Sequence, residues 1–319
     1  MASRPLSRSE RKRRYVERVY ARLLAPARLE RQAATETLKV IRTMGAEIQR
    51  RLRSGRYADR PWEIQIQREL SGEVSNVMAD ARRQLDLALR PIEERMATTA
   101  VQTAIRPLKD VGYRIKTVQV NRRQVELMSA TRADLVQKIF EPQRRKIDLE
   151  IQKVGMGIQT PYEAQLAIKP IVIERMSRVP GTFGPRARYG GSVLYQTERI
   201  VRTEVNRIYS VQNFDTIRDI RNEVPGVMKK WIAALDTRTR DSHIEVNEEV
   251  VGPDDHFSNG LLFPHDPAGP AEETINCRCR TIPWLESFAI PQAPSILAGI
   301  AYLRESARCY RMISCGAIA

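Results

Sequence analysis

Cysteine, histidine and aromatic residues are all scarce in this chain. Four cysteines in 319 residues, two of them one residue apart, make no disulfide framework. The expected place of synthesis is therefore a cytoplasmic or otherwise reducing one. Aromatic residues are 6% of the chain, which suits helices better than a β-sandwich. No run of about 18 apolar residues occurs, so no membrane-spanning helix is expected. The N-terminal stretch MASRPLSRSERKRRYVERVY is basic but has no apolar segment, which excludes a secretory signal there. The only three histidines, His243, His256 and His265, all fall within the 34 residues before Cys277.

Positive charge is abundant and unevenly placed. The formal net charge is +15, yet residues 1–60 hold 17 Lys/Arg against 6 Asp/Glu and residues 241–290 hold 2 against 10. A basic region joined to a more acidic one points to an anionic partner, whether nucleic acid, an acidic protein surface or a membrane surface. Arg8, Arg11, Lys12, Arg13, Arg14 and Arg18 crowd into 11 residues. On a helix they cover most of the circumference, and Val16, Val19, Tyr20 and Leu23 keep an apolar strip. Six such cations would neutralise phosphates and give salt-sensitive, sequence-independent DNA binding. The alternative is a terminus that is merely solvated.

The first half reads as helix. Ile41, Met44, Ile48 and Leu52 make one apolar stripe, and Leu85, Leu89, Ile92 and Met96 make another, both on a 3.6-residue period. Leu135, Ile139, Ile147 and Ile151 continue the theme. Pro26, Pro61, Pro91, Pro107 and Pro142 are expected to punctuate or kink these helices. In TPYEAQLA, Thr160 is a fit N-cap, Pro161 suits the first helical position and Glu163 completes a capping box. VPGTFGPRARYGG, residues 179–191, is a loop rich in glycine and proline and carries Arg186 and Arg188. A long helix follows, with Val201, Val205 and Ile208 on one face.

After residue 225 the texture changes. VMKKWIAALD reads as a strand running into a turn, and DTRTRDSHIEVN as a short helix capped by Asp236. A short strand, a proline- and glycine-held loop and a closing strand CRCRTIPW follow. The fold class expected is α+β, predominantly helical, with long N-terminal helices followed by a small C-terminal α+β module. The division expected is a helical basic region over 1–156, the module over 157–290 and a tail over 291–319. No internal repeat is evident.

Several readings of the residue chemistry stand side by side. Cys277 and Cys279 are two apart and would share one face of a strand. With His243, and His256 or His265 as a fourth, they offer the sulfur and nitrogen ligands that zinc prefers. Alternatively they are small buried residues, as free cysteine usually is, or a redox pair. Arg240 and His243 lie i, i+3 and Asp236 is near them. They read as an acid–base pair, with Asp236 or Asp241 as the carboxylate, or as a polar network holding the helix to the CRC segment through Arg278 or Arg280. Arg202, Thr203 and Glu204 read either as a solvated helix face or as elements of an ADP-ribosyltransferase.

The order KKWIAALDTRTRDSH, then FPHDPAGPAEETINCRC, resembles the phage Mu F-like minor head protein domain, also called the SPP1 gp7 family of head morphogenesis proteins. The residues that carry the resemblance are Trp231, Asp236, Thr239, Arg240, His243, Pro264, Asn276, Cys277, Arg278 and Cys279. The upstream IVRTEVNRIYS is similar to the helix that commonly precedes the signature. The loop LLFPHDPAGPAEETIN departs from the family pattern in being longer and acidic.

The resemblance implies a low-copy structural protein of a tailed phage or prophage head, made in the host cytoplasm and carried in the virion. Its implied partners are the portal protein and the major capsid or scaffolding protein, with double-stranded DNA as a further one. No cofactor is implied beyond the zinc that the residues themselves suggest. Some relatives carry a toxin domain after the module, and the short stretch after Trp284 argues against that version. The competing classes are a nuclease or ADP-ribosyltransferase-like effector using His243, Arg240 and Glu204, and a basic DNA-binding protein.

Overall fold

The computed structural model describes residues 7–54, 64–116, 118–173 and 191–285. The loop over 179–190, with Arg186 and Arg188, the tail over 291–319, Pro61 and the Arg8 side chain lie outside the described residues. Helix dominates. The order is α1 (Arg8–Arg22), α2 (Leu24–Leu52), α3 (Ile64–Asp110), α4 (Arg122–Gly155), α5 (Pro161–Ile173), α6 (Val193–Asp219), a 3-10 turn (Ile220–Asn222), β1 (Val227–Ile232), α7 (Asp241–Glu245), β2 (Val250–Val251), α8 (Ala271–Thr274) and β3 (Arg280–Leu285). This is the predominantly helical α+β class, with its one small sheet near the C-terminal end. No helix among the described residues is long and apolar enough to cross a membrane.

The chain forms two compact units that are discontinuous in sequence, where the sequence reading divides it linearly. One comprises residues 1–29, 95–121 and 206–319, and the other 30–94 and 122–205.

The second unit is wholly helical. Ile41, Met44, Ile48 and Leu52 are at most 2% exposed, and so are Leu85, Leu89 and Ile92. Burying each such side chain stabilises by about 1.5–3 kcal/mol, which is what makes a long amphipathic helix hold its place. In α4 the stripe lies one residue from the expected one. Val136 and Phe140 are buried while Leu135 and Ile139 are only half-buried, and Ile147 and Ile151 are buried as expected. The prolines do not end the helices. Pro91 sits inside α3, Pro142 inside α4 and Pro26 in the first turn of α2, where its missing N–H costs nothing. The predicted capping box is formed: the Thr160 N–H donates to Glu163 Oε2 at 2.7 Å and the Glu163 N–H to Thr160 Oγ1 at 3.2 Å. Gln165, buried in α5, ties back to α2 by accepting at its Oε1 from Arg53 Nε at 3.2 Å. Charge is buried here too. Arg132 donates to Glu93 at 2.6 Å and to Asp86 at 2.7 Å, and Ser129 donates to Glu93 at 2.7 Å.

The first unit holds the sheet. Its order is β2-β1-β3, antiparallel throughout, with Trp231 opposite Thr281 and Lys230 opposite Ile282. β3 is an edge strand, which is where Pro283 can sit without costing a ladder hydrogen bond. Alternation along β1 sends side chains to two faces. One face, with Val227 excepted, looks to a small core of Trp231, Val246, Phe257, Leu261, Cys277 and Cys279. The other joins a larger core in which Ile232, Ile282 and Trp284 meet Ala104 and Leu108 of α3 and Tyr15, Val16, Val19 and Tyr20 of α1.

The strip expected on the basic helix is thus real, and it is used inside this unit. The Tyr15 hydroxyl donates to the Pro283 carbonyl, and its ring lies 6.3 Å from that of Trp284. α1 opens on a capping box of its own, in which the Ser7 N–H donates to Glu10 at 2.7 Å and the Glu10 N–H to Ser7 Oγ at 3.3 Å.

Candidate functional site

The signature residues gather around the end of β1 and the approach to β3. β1 stops at Ile232, and Leu235 takes a positive φ of 52°, which turns the chain sharply. Asp236 then organises the turn. Its Oδ1 accepts from the Arg238 N–H at 3.0 Å and from Thr239 Oγ1 at 3.2 Å, while its own N–H donates to Thr239 Oγ1 at 3.0 Å. The helix cap expected of Asp236 is not formed: its bond to the Arg238 N–H closes a turn and does not start the helix. The helix begins a few residues later, with Arg240 as its N-cap, and is one turn long. The same Asp236 oxygen accepts from Arg278 at 2.6 Å, and Arg240 donates to the Ile275 carbonyl at 2.6 Å. The turn and the CRC segment are bound together by these two arginines. Arg280 goes elsewhere: it donates to Asn206 Oδ1 at 2.7 Å and stands 5.2 Å from the Tyr209 ring centre.

Cys277 and Cys279 precede β3 rather than lying on it. The strand expected from Cys277 onward begins only at Arg280, and Asn276, just before the pair, has a left-handed φ of 57°. Both thiols nevertheless point inward, at 2% and 1% exposure, and neither is in a disulfide. His243 Nδ1 lies 3.5 Å from each sulfur. The ring is 1% exposed and packs edge-on to Trp231, with centres 5.2 Å apart. Its other nitrogen, Nε2, is 2.9 Å from Glu273 Oε2, an ion-pair distance outside hydrogen-bond alignment, and Ser242 Oγ donates to that same carboxylate oxygen at 2.8 Å. The three ligating atoms of His243, Cys277 and Cys279 all lie within 4.8 Å of one another.

The electrostatics of the pair are lopsided. Burial pushes the Cys277 thiol well up, with the neighbouring Cys279 adding to it. Cys279 is held well below its usual range by hydrogen bonding from Cys277, against burial, with help from His243 and the Ala234 N–H. The Cys279 N–H in turn points at Cys277 Sγ, 3.4 Å away.

The other two histidines do not join the group. His256 is exposed. His265 is fully buried, with a φ of 66° and neither ring nitrogen hydrogen-bonded, and burial with Arg280 and Arg207 nearby holds it neutral. The sequence reading offers His256 or His265 as a fourth metal ligand, and neither stands with His243, Cys277 and Cys279 among the described residues. Lys229, on β1, is a buried group the sequence reading missed. Its ammonium donates to the Pro253 carbonyl at 3.0 Å and lies within 5.3 Å of the Phe214 and Phe257 rings.

Of the upstream triplet, Arg202 pairs with Glu30 at 2.9 Å and Glu198 at 3.0 Å, while Thr203 and Glu204 are buried. The solvated-face reading therefore fails for Thr203 and Glu204. On α1, Arg11, Arg13, Arg14 and Arg18 are exposed and Lys12 is half-buried. Two of these cations have weak partners, Arg13 with Glu17 and Arg18 with Asp110, both at 3.8 Å.

Residues 173–282 match the family model described as Phage Mu protein F like protein. The chain is similar to the minor head protein GP7 of Bacillus phage SPP1, at 23% identity over 237 residues, covering 71% of this chain and 70% of that one. It is also similar to the NAD(+)--arginine ADP-ribosyltransferase EFV of Enterococcus faecalis (strain ATCC 700802 / V583), at 35% identity over 92 residues. That match takes in 27% of this chain and only 18% of the relative. No solved structure matches.

Proposed function

From the premise that residues 173–282 form a Phage Mu protein F-like module, we propose that this chain is a minor head protein of a tailed phage or prophage, acting in head morphogenesis at or near the portal vertex. The observation that carries the reading is breadth. Similarity to the SPP1 minor head protein extends over 71% of this chain, well beyond the module and into the helical region. The partners are then the portal protein and the major capsid or scaffolding protein, and the protein resides in the virion head after assembly in the host cytoplasm.

The basic face of α1 adds a finer element. Its buried side is fixed against the sheet, so Arg11, Arg13, Arg14 and Arg18 are held on one rigid outer surface. Such a surface suits contact with packaged double-stranded DNA or with an acidic portal or scaffold face, with strong salt dependence in the DNA case.

The test is to delete the gene in the phage or prophage that carries it and complement in trans. Heads made without the protein are expected to be defective or non-infectious, and the complemented protein to co-sediment with heads. Normal heads together with absence of the protein from purified particles refute the reading. The DNA element is tested by Arg11→Glu, Arg13→Glu and Arg14→Glu together. Deleting residues 1–20 would be the wrong experiment, because it also removes Tyr15, Val16 and Val19 from the core.

The match to the ADP-ribosyltransferase motivates one second reading, an effector enzyme. The position of His243 weighs against it: the ring is sealed between two sulfurs, Trp231 and Glu273 and offers no free edge to a substrate. NAD turnover by the purified chain would overturn the structural reading in favour of the enzyme.

A further inference from the structure

We propose that His243 Nδ1, Cys277 Sγ and Cys279 Sγ bind one zinc ion inside the C-terminal module. Zinc sits about 2.3 Å from sulfur and about 2.0 Å from imidazole nitrogen, so the nitrogen–sulfur edge of its tetrahedron is about 3.5 Å. Both nitrogen–sulfur distances here are 3.5 Å. The two sulfurs belong to the same group of atoms, none more than 4.8 Å from another, and the corresponding sulfur–sulfur edge of a zinc site is about 3.8 Å. Three atoms from two distant segments thus already stand at the corners of a metal polyhedron.

The surroundings match as well as the corners. A metal-binding histidine characteristically turns its other nitrogen to a carboxylate, which fixes the tautomer and raises the basicity of the ligand. His243 Nε2 stands 2.9 Å from Glu273 Oε2, at the right distance though out of hydrogen-bond alignment, and Glu273 is itself held by Ser242. Metal thiolates also gather backbone N–H donors. The Cys279 N–H faces Cys277 Sγ, and the Ala234 N–H serves Cys279.

Soft sulfur and imidazole donors select zinc over magnesium or calcium, and two thiolates balance the charge of a divalent ion in a dry setting. No fourth protein ligand stands with these three among the described residues. The ion would join α7 to the segment before β3, across the small core around Trp231. The small core on one face of the three-stranded sheet gains from such a staple. The inference is independent of the phage-head reading, since it concerns only these side chains.

The experiment uses the full chain, purified without chelators. Elemental analysis is expected to give one equivalent of zinc per chain. Cobalt substitution is expected to give a thiolate-to-cobalt charge-transfer band. The double change Cys277→Ser with Cys279→Ser should abolish both signals, and Cys309→Ser with Cys315→Ser should leave both. Glu273→Gln spares the ligands and should weaken zinc in competition with a chromophoric chelator by about 10–100-fold. This variant keeps the test decisive if the serine double variant does not fold. A metal-free wild type that gives no cobalt–thiolate band, or a folded serine double variant that keeps its full zinc, overturns the proposal. Unchanged affinity in Glu273→Gln overturns the role given to that carboxylate.

Discussion

Arg132→Met should be among the most damaging single changes in the helical unit, although it replaces a charged residue by an apolar one of similar length. Arg132 is 1% exposed and Glu93 0%. The guanidinium donates to Glu93 at 2.6 Å and to Asp86 at 2.7 Å. Removing it strands a carboxylate with only the Ser129 hydroxyl, 2.7 Å away, to compensate it. Breaking a buried pair from one side costs about 3–5 kcal/mol, because the remaining charge has lost both water and partner. In a unit of roughly 150 residues this lowers Tm by roughly 10 °C, taking about 2–4 °C per kcal/mol.

The triple change Arg132→Met, Glu93→Leu, Ser129→Ala removes the whole polar cluster together. It should recover most of the loss, since apolar replacements of a buried ion pair are often neutral or better. Asp86 keeps Arg90 at 2.8 Å in either variant. The assay is thermal and urea unfolding followed by circular dichroism, arranged as a double-mutant cycle. A single variant that loses less than about 1 kcal/mol, or a triple variant no better than the single, refutes the reasoning.

Lys229 should make stability depend on alkaline pH. Burial brings its ammonium from 10.5 down to about 8, against the pull of Asp255, Asp254 and Asp266. The unfolded chain then binds the extra proton between about 8 and 10.5, so stability rises with pH across that window. Lys229→Met should remove that rise, and a urea midpoint series from pH 7 to about pH 10 checks it. Gly45→Ala should destabilise despite the better helix propensity of alanine. The new Cβ would meet Ile173 Cγ2 at 2.5 Å, a β-branched side chain with little freedom to move. The expected cost is about 1–3 kcal/mol, read from thermal unfolding, and a variant more stable than wild type would sink the argument.

Local pattern made part of this molecule legible. The stripes at Ile41–Leu52 and Leu85–Met96 are buried as their spacing requires, and the Thr160–Glu163 box forms as written. These features depend on residues within a few turns of one another. Longer-range outcomes were not legible. Nothing near Arg132 announces that it will meet Glu93 39 positions away, and nothing near Tyr15 announces Pro283.

At the candidate site, the residue types named the three side chains that meet, and Cys277 and Cys279 face one side as expected although both precede β3. Asn276, just before them, takes a positive φ that sequence spacing does not encode. His265 is offered as a fourth ligand on residue type alone, and its burial apart from the other three, without a hydrogen bond, has no local signature.

The contact between Tyr15 and Pro283 also sets a clock. It spans 268 positions of sequence. At about 5–20 residues per second, a ribosome needs roughly 13–54 s to travel that far. For that time the face of α1 carrying Tyr15, Val16 and Val19 lacks the strand that covers it in the finished protein. The N-terminal helix, made first, reaches its native place only after the last strand of the sheet has emerged. Slow translation, or a shortage of chaperone capacity when many copies are made together, would therefore be felt first as aggregation through this one helix.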